Sequence, residues 1–169
     1  MTAPKTRFTV FLDRDGVLDK DRWPGLLTPR QWNWLPGARE ALARLNRPDV
    51  QVCLATNQPW AHTGILTTRR LAAIHARMLD EARAAGGRID RIEAATWPWG
   101  RRRKPRPGML EDGAAAFGGI DKARAIMVGD KPRDVEAARR FGIAAIRVGP
   151  HGDVPDLAAA VERILGLLG

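Results

Sequence analysis

The chain has 169 residues, with 28 Lys and Arg against 19 Asp and Glu, for a formal net charge of +9. That length suits one domain with its own core and leaves little for a second; at 44% hydrophobic and 28% charged residues a wholly disordered chain is excluded. A disulfide framework is excluded too, because Cys53 is the only cysteine, and its apolar run over residues 50–55 suits an inert buried thiol.

Strand-like and helix-like segments alternate along the chain. The run Phe8–Leu12 reads as a buried strand. Residues 16–35 hold three Trp, two Pro and several charges without a clear period, and form a structured excursion after that strand. Residues 36–46 read as a helix, with Pro36 near its start and Ala38, Leu42 and Leu45 at helical spacing. A second strand covers 50–55. Thr67 or Thr68 caps a long helix with Leu71, Ile74, Met78 and Ala82 on one face, stopped by Gly86 and Gly87. A weaker strand falls within 89–96, a helix within 107–117 and a strand over 125–128. A helix over Pro132–Phe141 is closed by Gly142, a strand covers 143–148, and a last helix runs from about 153 to 168. This alternation predicts an α/β fold: a Rossmann-like parallel sheet with helices on both faces and no large cap domain. In such sheets ligands sit beyond the carboxyl ends of the strands, so the excursion at 17–35 should border the site like a flap.

The longest stretch without Asp, Glu, Lys or Arg, residues 50–68, contains Gln51, Asn57, Gln58, Pro59 and His62, so no membrane span is expected. Residues 1–7 lack the apolar region of a secretory signal, which predicts a cytoplasmic protein. Residues 69–106 carry 11 basic and 4 acidic groups and account for most of the excess charge. Such a cluster can steer phosphates or nucleic acid, while the preponderance of Arg over Lys also fits a plain compositional bias.

Four polar clusters follow four apolar runs. In Asp13-Arg14-Asp15-Gly16 two carboxylates at a strand end repel each other unless a cation neutralises them. This suits a Mg²⁺ site with one carboxylate left as nucleophile, Gly16 allowing a sharp turn, and it also suits an ordinary turn. In Thr56-Asn57-Gln58 a hydroxyl and the next backbone N–H can bind a phosphate oxygen or cap a turn. In Arg103-Lys104-Pro105-Arg106-Pro107-Gly108-Met109-Leu110 a Lys at a loop–helix junction offers a point charge to phosphate, or belongs to a solvated basic loop. In Gly129-Asp130-Lys131-Pro132-Arg133-Asp134 one or both aspartates can complete a Mg²⁺ site, and either can be a helix N-cap.

The order Asp-x-Asp-Gly, Thr, Lys, Gly-Asp-x₃-Asp, each at a strand end, closely resembles the haloacid dehalogenase superfamily. The motifs Asp13-Arg14-Asp15-Gly16-Val17-Leu18, Thr56-Asn57-Gln58 and residues 103–110 are similar to one phosphatase subgroup. That subgroup contains D-glycero-D-manno-heptose 1,7-bisphosphate phosphatases, histidinol-phosphate phosphatases and polynucleotide 3′-phosphatases. The resemblance implies one phosphatase domain over 1–169 that hydrolyses a phosphomonoester with Mg²⁺. Asp13 would attack phosphorus, and Asp15 would protonate the leaving alcohol and then activate water. Mg²⁺ would be held by Asp13, the backbone carbonyl of Asp15, and Asp130. Thr56, Asn57 and Lys104 would bind phosphoryl oxygens. Asp134 would support the metal through water or by positioning Lys131, with Gly16 and Lys131 in supporting places.

The chain departs from the subgroup between the third strand and Lys104, where many members carry a Cys/His zinc cluster. Residues 96–103 contain neither Cys nor His, so no structural zinc is expected and aromatic packing should hold the loop. Arg101, Arg102, Arg103 or Arg106 could then meet a second anionic group, with Arg103 the leading candidate. Trp23, Trp60, Trp97 and Trp99 fall on loops near the strand ends, where they could pack or stack on bases, while Trp32 and Trp34 suit packing. His75 and His151 have no expected role, and His62 lies near the chemistry. A sugar bisphosphate is the leading substrate. The alternatives are a histidinol phosphate, a polynucleotide 3′-phosphate, or a nucleic-acid-binding module with a vestigial site, which the intact aspartates argue against.

Overall fold

The computed structural model describes residues 7–169; the expectation drawn from residues 1–7 therefore falls almost wholly outside it. Five strands, β1 (Phe8–Leu12), β2 (Val50–Asn57), β3 (Arg91–Ala95), β4 (Ala125–Gly129) and β5 (Ala144–Arg147), form one sheet in the order β3-β2-β1-β4-β5. Every pairing is parallel, as the α/β pattern predicts. β1 is central, and its pleat alternates: Phe8, Val10 and Leu12 enter one core, Phe11 the other.

Helices α1 (Ala38–Arg44), α2 (Thr68–Ala84) and α5 (Leu157–Leu168) share the first core; α3 (Gly108–Ala116) and α4 (Pro132–Phe141) share the second. α2 forms where expected, because the Thr67 hydroxyl accepts the Arg70 N–H at 3.1 Å and Leu71, Ile74, Met78 and Ala82 are buried. Cys53 is buried beside Phe11, and burial pushes its thiol pKa far up, so it is an inert core group. No helix of the described residues is long and apolar enough to cross a membrane.

Several boundaries differ from the sequence reading. β2 runs on through Thr56 and Asn57 because their backbones pair with Ala94 and Ala95 of β3. α1 starts at Ala38, since Gly37 takes a left-handed φ of 73° and ends the turn that Pro36 enters. α5 starts at Leu157. Residues 153 and 154 belong instead to a turn against β5, where the Asp153 carboxylate accepts the Arg147 N–H at 2.8 Å.

The excursion contains neither strand nor α-helix, only a 3₁₀ turn at Pro29–Gln31. It is nevertheless docked: Leu18, Leu26 and Trp32 are buried in the first core. Trp34 donates from its indole to Glu81 of α2 at 2.8 Å, and Arg77 of α2 donates to the Pro29 carbonyl at 2.7 Å.

Candidate active site

The carboxyl ends of β1, β2 and β4 bring the four clusters together. Asp13 extends β1 by one residue, its N–H donating to the Val128 carbonyl at 2.9 Å, and its Oδ1 accepts the Arg14 N–H at 2.8 Å. Lys104 reaches in from the loop before α3 and is almost wholly buried. Its Nζ donates to the Ala55 carbonyl at 2.7 Å and lies 3.0 Å from Asp13 Oδ1 and 2.7 Å from Asp134 Oδ1. Burial opposes its charge, but Asp13 and Asp134 outweigh burial and hold its pKa above the usual lysine value. Burial pushes Asp13 up to about 7, against the pull of Lys104 and with a further push from Asp134 and Asp15.

Asp134 lies wholly buried in the first turn of α4, where its Oδ2 accepts the Lys131 N–H at 2.9 Å. Asp130 has one buried oxygen, Oδ1, without a partner; its Oδ2 lies 3.3 Å from Lys131 Nζ. Burial raises the Asp130 pKa against Lys131. Gly16 stands against Asp130 with φ 83°, and a Cβ there would overlap the Asp130 carboxylate. Lys131 also reaches Asp21 of the excursion at 2.8 Å, tying that segment to the site.

Single carboxylate oxygens of Asp13, Asp130 and Asp134 lie within 4.8 Å of one another. An all-oxygen set with an unpartnered buried oxygen on Asp130 fits a hard divalent cation such as Mg²⁺. Asp13 and Asp130 have oxygens to offer it. Asp134 Oδ1 lies 2.7 Å from Lys104 Nζ, and its Oδ2 accepts the Lys131 N–H at 2.9 Å.

Asp15 lies at the cavity floor in contact with Arg14, whose Nε and Nη2 donate to it at 3.1 to 3.2 Å. Gln58 Nε2 donates both to Asp15 Oδ2 and to Thr56 Oγ1, each at 2.8 Å. Arg14 and Gln58 were not among the expected site residues. Their signals were a guanidinium between two carboxylates and a position two residues past Thr56, on the same side of an extended strand. The Asn57 carboxamide contacts the backbone of Lys104, with Nδ2 donating to its carbonyl at 3.1 Å and Oδ1 accepting its N–H at 3.0 Å.

A cleft of about 490 Å³ opens above Asp13 and Asp15, walled by Trp23, Trp60, His62, Arg103, Lys131 and Arg133. Trp23 is 84% exposed and meets Trp60 edge-to-face. Arg103 has a buried Nη1 with no partner. Its neighbours differ: Arg101 pairs with Asp112 at 2.5 Å and Glu111 at 3.4 Å, and Arg102 pairs with buried Glu93 and with Asp112. Aromatic contacts and ion pairs both hold this loop. The ion pairs anchor it because Glu93, buried in the middle of β3, needs cationic partners. Trp97, Trp99 and His62 pack together on its outer side.

The sequence pattern of haloacid dehalogenase-like hydrolases matches residues 26–142. The chain is 36% identical to a D-glycero-beta-D-manno-heptose-1,7-bisphosphate 7-phosphatase of Bordetella bronchiseptica, over 92% of this chain and 97% of that protein. It is 35% identical to an enzyme of the same name from Rhodopseudomonas palustris, over 97% and 93% of the two chains. A crystal structure of D,D-heptose 1,7-bisphosphate phosphatase from B. bronchiseptica, complexed with magnesium and phosphate, superposes with a TM-score of 0.86. It is 37% identical and covers 94% of this chain and 98% of that one.

Proposed function

The chain belongs to the haloacid dehalogenase-like hydrolases, and we propose that it is a Mg²⁺-dependent phosphatase that removes one phosphoryl group from a heptose bisphosphate. The observation that supports this reading most is the buried contact of Lys104 with both Asp13 and Asp134, beside the unpartnered oxygen of Asp130. An ammonium beside a nucleophilic carboxylate suits an incoming phosphoryl group, whose oxygen can take over from Asp13 as the third acceptor of Lys104.

Asp13 attacks phosphorus through Oδ2, and Oδ1, which faces Lys104 and accepts the Arg14 N–H, keeps a lone pair for the cation. The Asp13 O–P bond forms as the bond from phosphorus to the sugar oxygen breaks, and Asp15 gives that oxygen a proton. Asp15, now a carboxylate, takes a proton from the water that attacks the aspartyl-phosphate, which returns Asp13 and frees phosphate. Asp13, Asp130 and the Asp15 backbone carbonyl would hold Mg²⁺, which when bound neutralises charge and polarises a phosphoryl oxygen, with Asp134 behind them. Thr56 serves the phosphoryl oxygens, and Asn57 serves them by holding the backbone of Lys104. Arg103 receives the second phosphate through its unpartnered Nη1. The excursion at 17–35 covers the site, and no structural zinc is required because ion pairs on Glu93 and Asp112 hold residues 96–103.

The test is phosphate release from heptose 1,7-bisphosphates, a histidinol phosphate and a 3′-phosphorylated oligonucleotide, each with Mg²⁺. Preferred turnover of a heptose bisphosphate supports the reading. Much faster turnover of the oligonucleotide would instead make the +9 charge and exposed Trp23 a nucleic-acid surface.

A further inference from the structure

Arg14 is the largest fully buried side chain among the described residues. A guanidinium has five donors, no acceptor and a permanent charge, so its burial demands partners. Nε and Nη2 face Asp15. Nη1 lies 3.2 Å from His75 Nε2, contributed by α2 from 61 residues away. Because Arg14 can only donate, His75 accepts through Nε2 and is a neutral ring with its proton on Nδ1. Burial, helped by the Arg14 charge, pushes the His75 pKa down to about 3, which keeps the ring neutral. His75 stands on the same buried face as Ile74 and Met78, where an aliphatic side chain would fill the space but leave Nη1 without an acceptor.

We propose that His75, acting through Arg14, is a positioning residue for Asp15. The long Arg14 side chain has several free torsions and cannot orient a carboxylate unless its far end is stopped. The α2 ring supplies that stop, and the guanidinium then presents Nε and Nη2 to Asp15 in a fixed plane. Gln58 completes the grip from the strand side. Asp15 must meet the departing sugar oxygen at hydrogen-bond range, so a loose carboxylate slows the step in which that oxygen needs its proton. This inference rests on the phosphatase reading given above.

The test compares kcat and KM for a sugar phosphate and for p-nitrophenyl phosphate, whose leaving group needs little protonation, in Mg²⁺-loaded native protein, His75→Leu, His75→Gln and Arg14→Lys. His75→Leu is expected to lower kcat on the sugar phosphate by about tenfold or more, with KM little changed and the aryl phosphate much less affected. His75→Gln, whose amide oxygen can accept from Nη1, should recover most of the loss. If His75→Leu does not fold, His75→Phe takes its place, a ring of similar shape with no acceptor for Nη1, and the same selective loss is expected. Arg14→Lys, which keeps charge but loses the fork, probes the Arg14 end. Equal losses on both substrates, or no loss, would overturn the role of His75. Native protein inert toward both substrates would instead overturn the phosphatase reading itself.

Discussion

The Asn57 side chain and the Lys104 backbone hold each other by two hydrogen bonds, at 3.0 and 3.1 Å, across 47 residues of sequence. The last residue of β2 thus sets the position of the loop that delivers the ammonium to Asp13. Asn57→Leu should unfold at lower urea, by about 1 to 3 kcal/mol, because two backbone groups lose partners. Its kcat should fall with it, read by urea titration and steady-state kinetics on the same preparation. Native kcat in that variant would separate Asn57 from the placement of Lys104.

Lys104→Met should cost more. Asp13 and Asp134 would then share a buried site without their cation, a change of about 3 to 5 kcal/mol. Adding Mg²⁺ should recover part of the lost melting temperature but none of the turnover, since the cation can neutralise the carboxylates without replacing the ammonium. A variant as stable as native protein in chelator would contradict this account of the network.

Asp13→Asn should abolish the covalent intermediate, read by trapping with labelled phosphate. Asp15→Asn should slow substrates with poor leaving groups most and an activated aryl phosphate least. Matching losses on both kinds of substrate would argue against a proton-donating Asp15.

Chelation should stop turnover, and Mg²⁺ should restore it. Mg²⁺ should also raise the melting temperature of native protein, since the proposed site exists only where Asp13 and Asp130 are assembled. Asp130→Ala should lose most of that thermal shift while remaining folded. A full shift in Asp130→Ala would place the cation elsewhere.

Arg103→Ala should raise KM for a heptose bisphosphate by about 10- to 150-fold, the equivalent of roughly 1.5 to 3 kcal/mol. A monophosphate of the same sugar should change far less. Arg102→Ala should behave differently and lower stability, because its guanidinium is committed to Glu93 and Asp112. The reverse pattern would exchange the roles of the two arginines.

Much of this protein is legible from local pattern. The apolar run Phe8–Leu12 with Asp13 behind it, the helical spacing of Leu71 and Ile74, and the alternation of strands with helices each express a preference that holds over a few residues. The same holds for the four polar clusters, because a parallel sheet places every strand's carboxyl end on one edge. The helix begins at Ala38 rather than at the expected Pro36 because Gly37 decides its start through a backbone angle that composition does not show.

Local pattern is enough for the fold class, the order of the strands along the chain and the carboxylates and lysine proposed for the chemistry. Which charges stay without a partner depends on the packing of distant segments. Arg101, Arg102 and Arg103 are chemically equal in a string, yet Glu93 and Asp112 neutralise the first two and leave Arg103 with an unpartnered nitrogen. His75 is likewise an ordinary helix residue in the sequence, and only packing sets its ring against Arg14. The physical reason is the same in both cases. A charge's role depends on its neighbours within a few ångströms, and those neighbours come from segments tens of residues away.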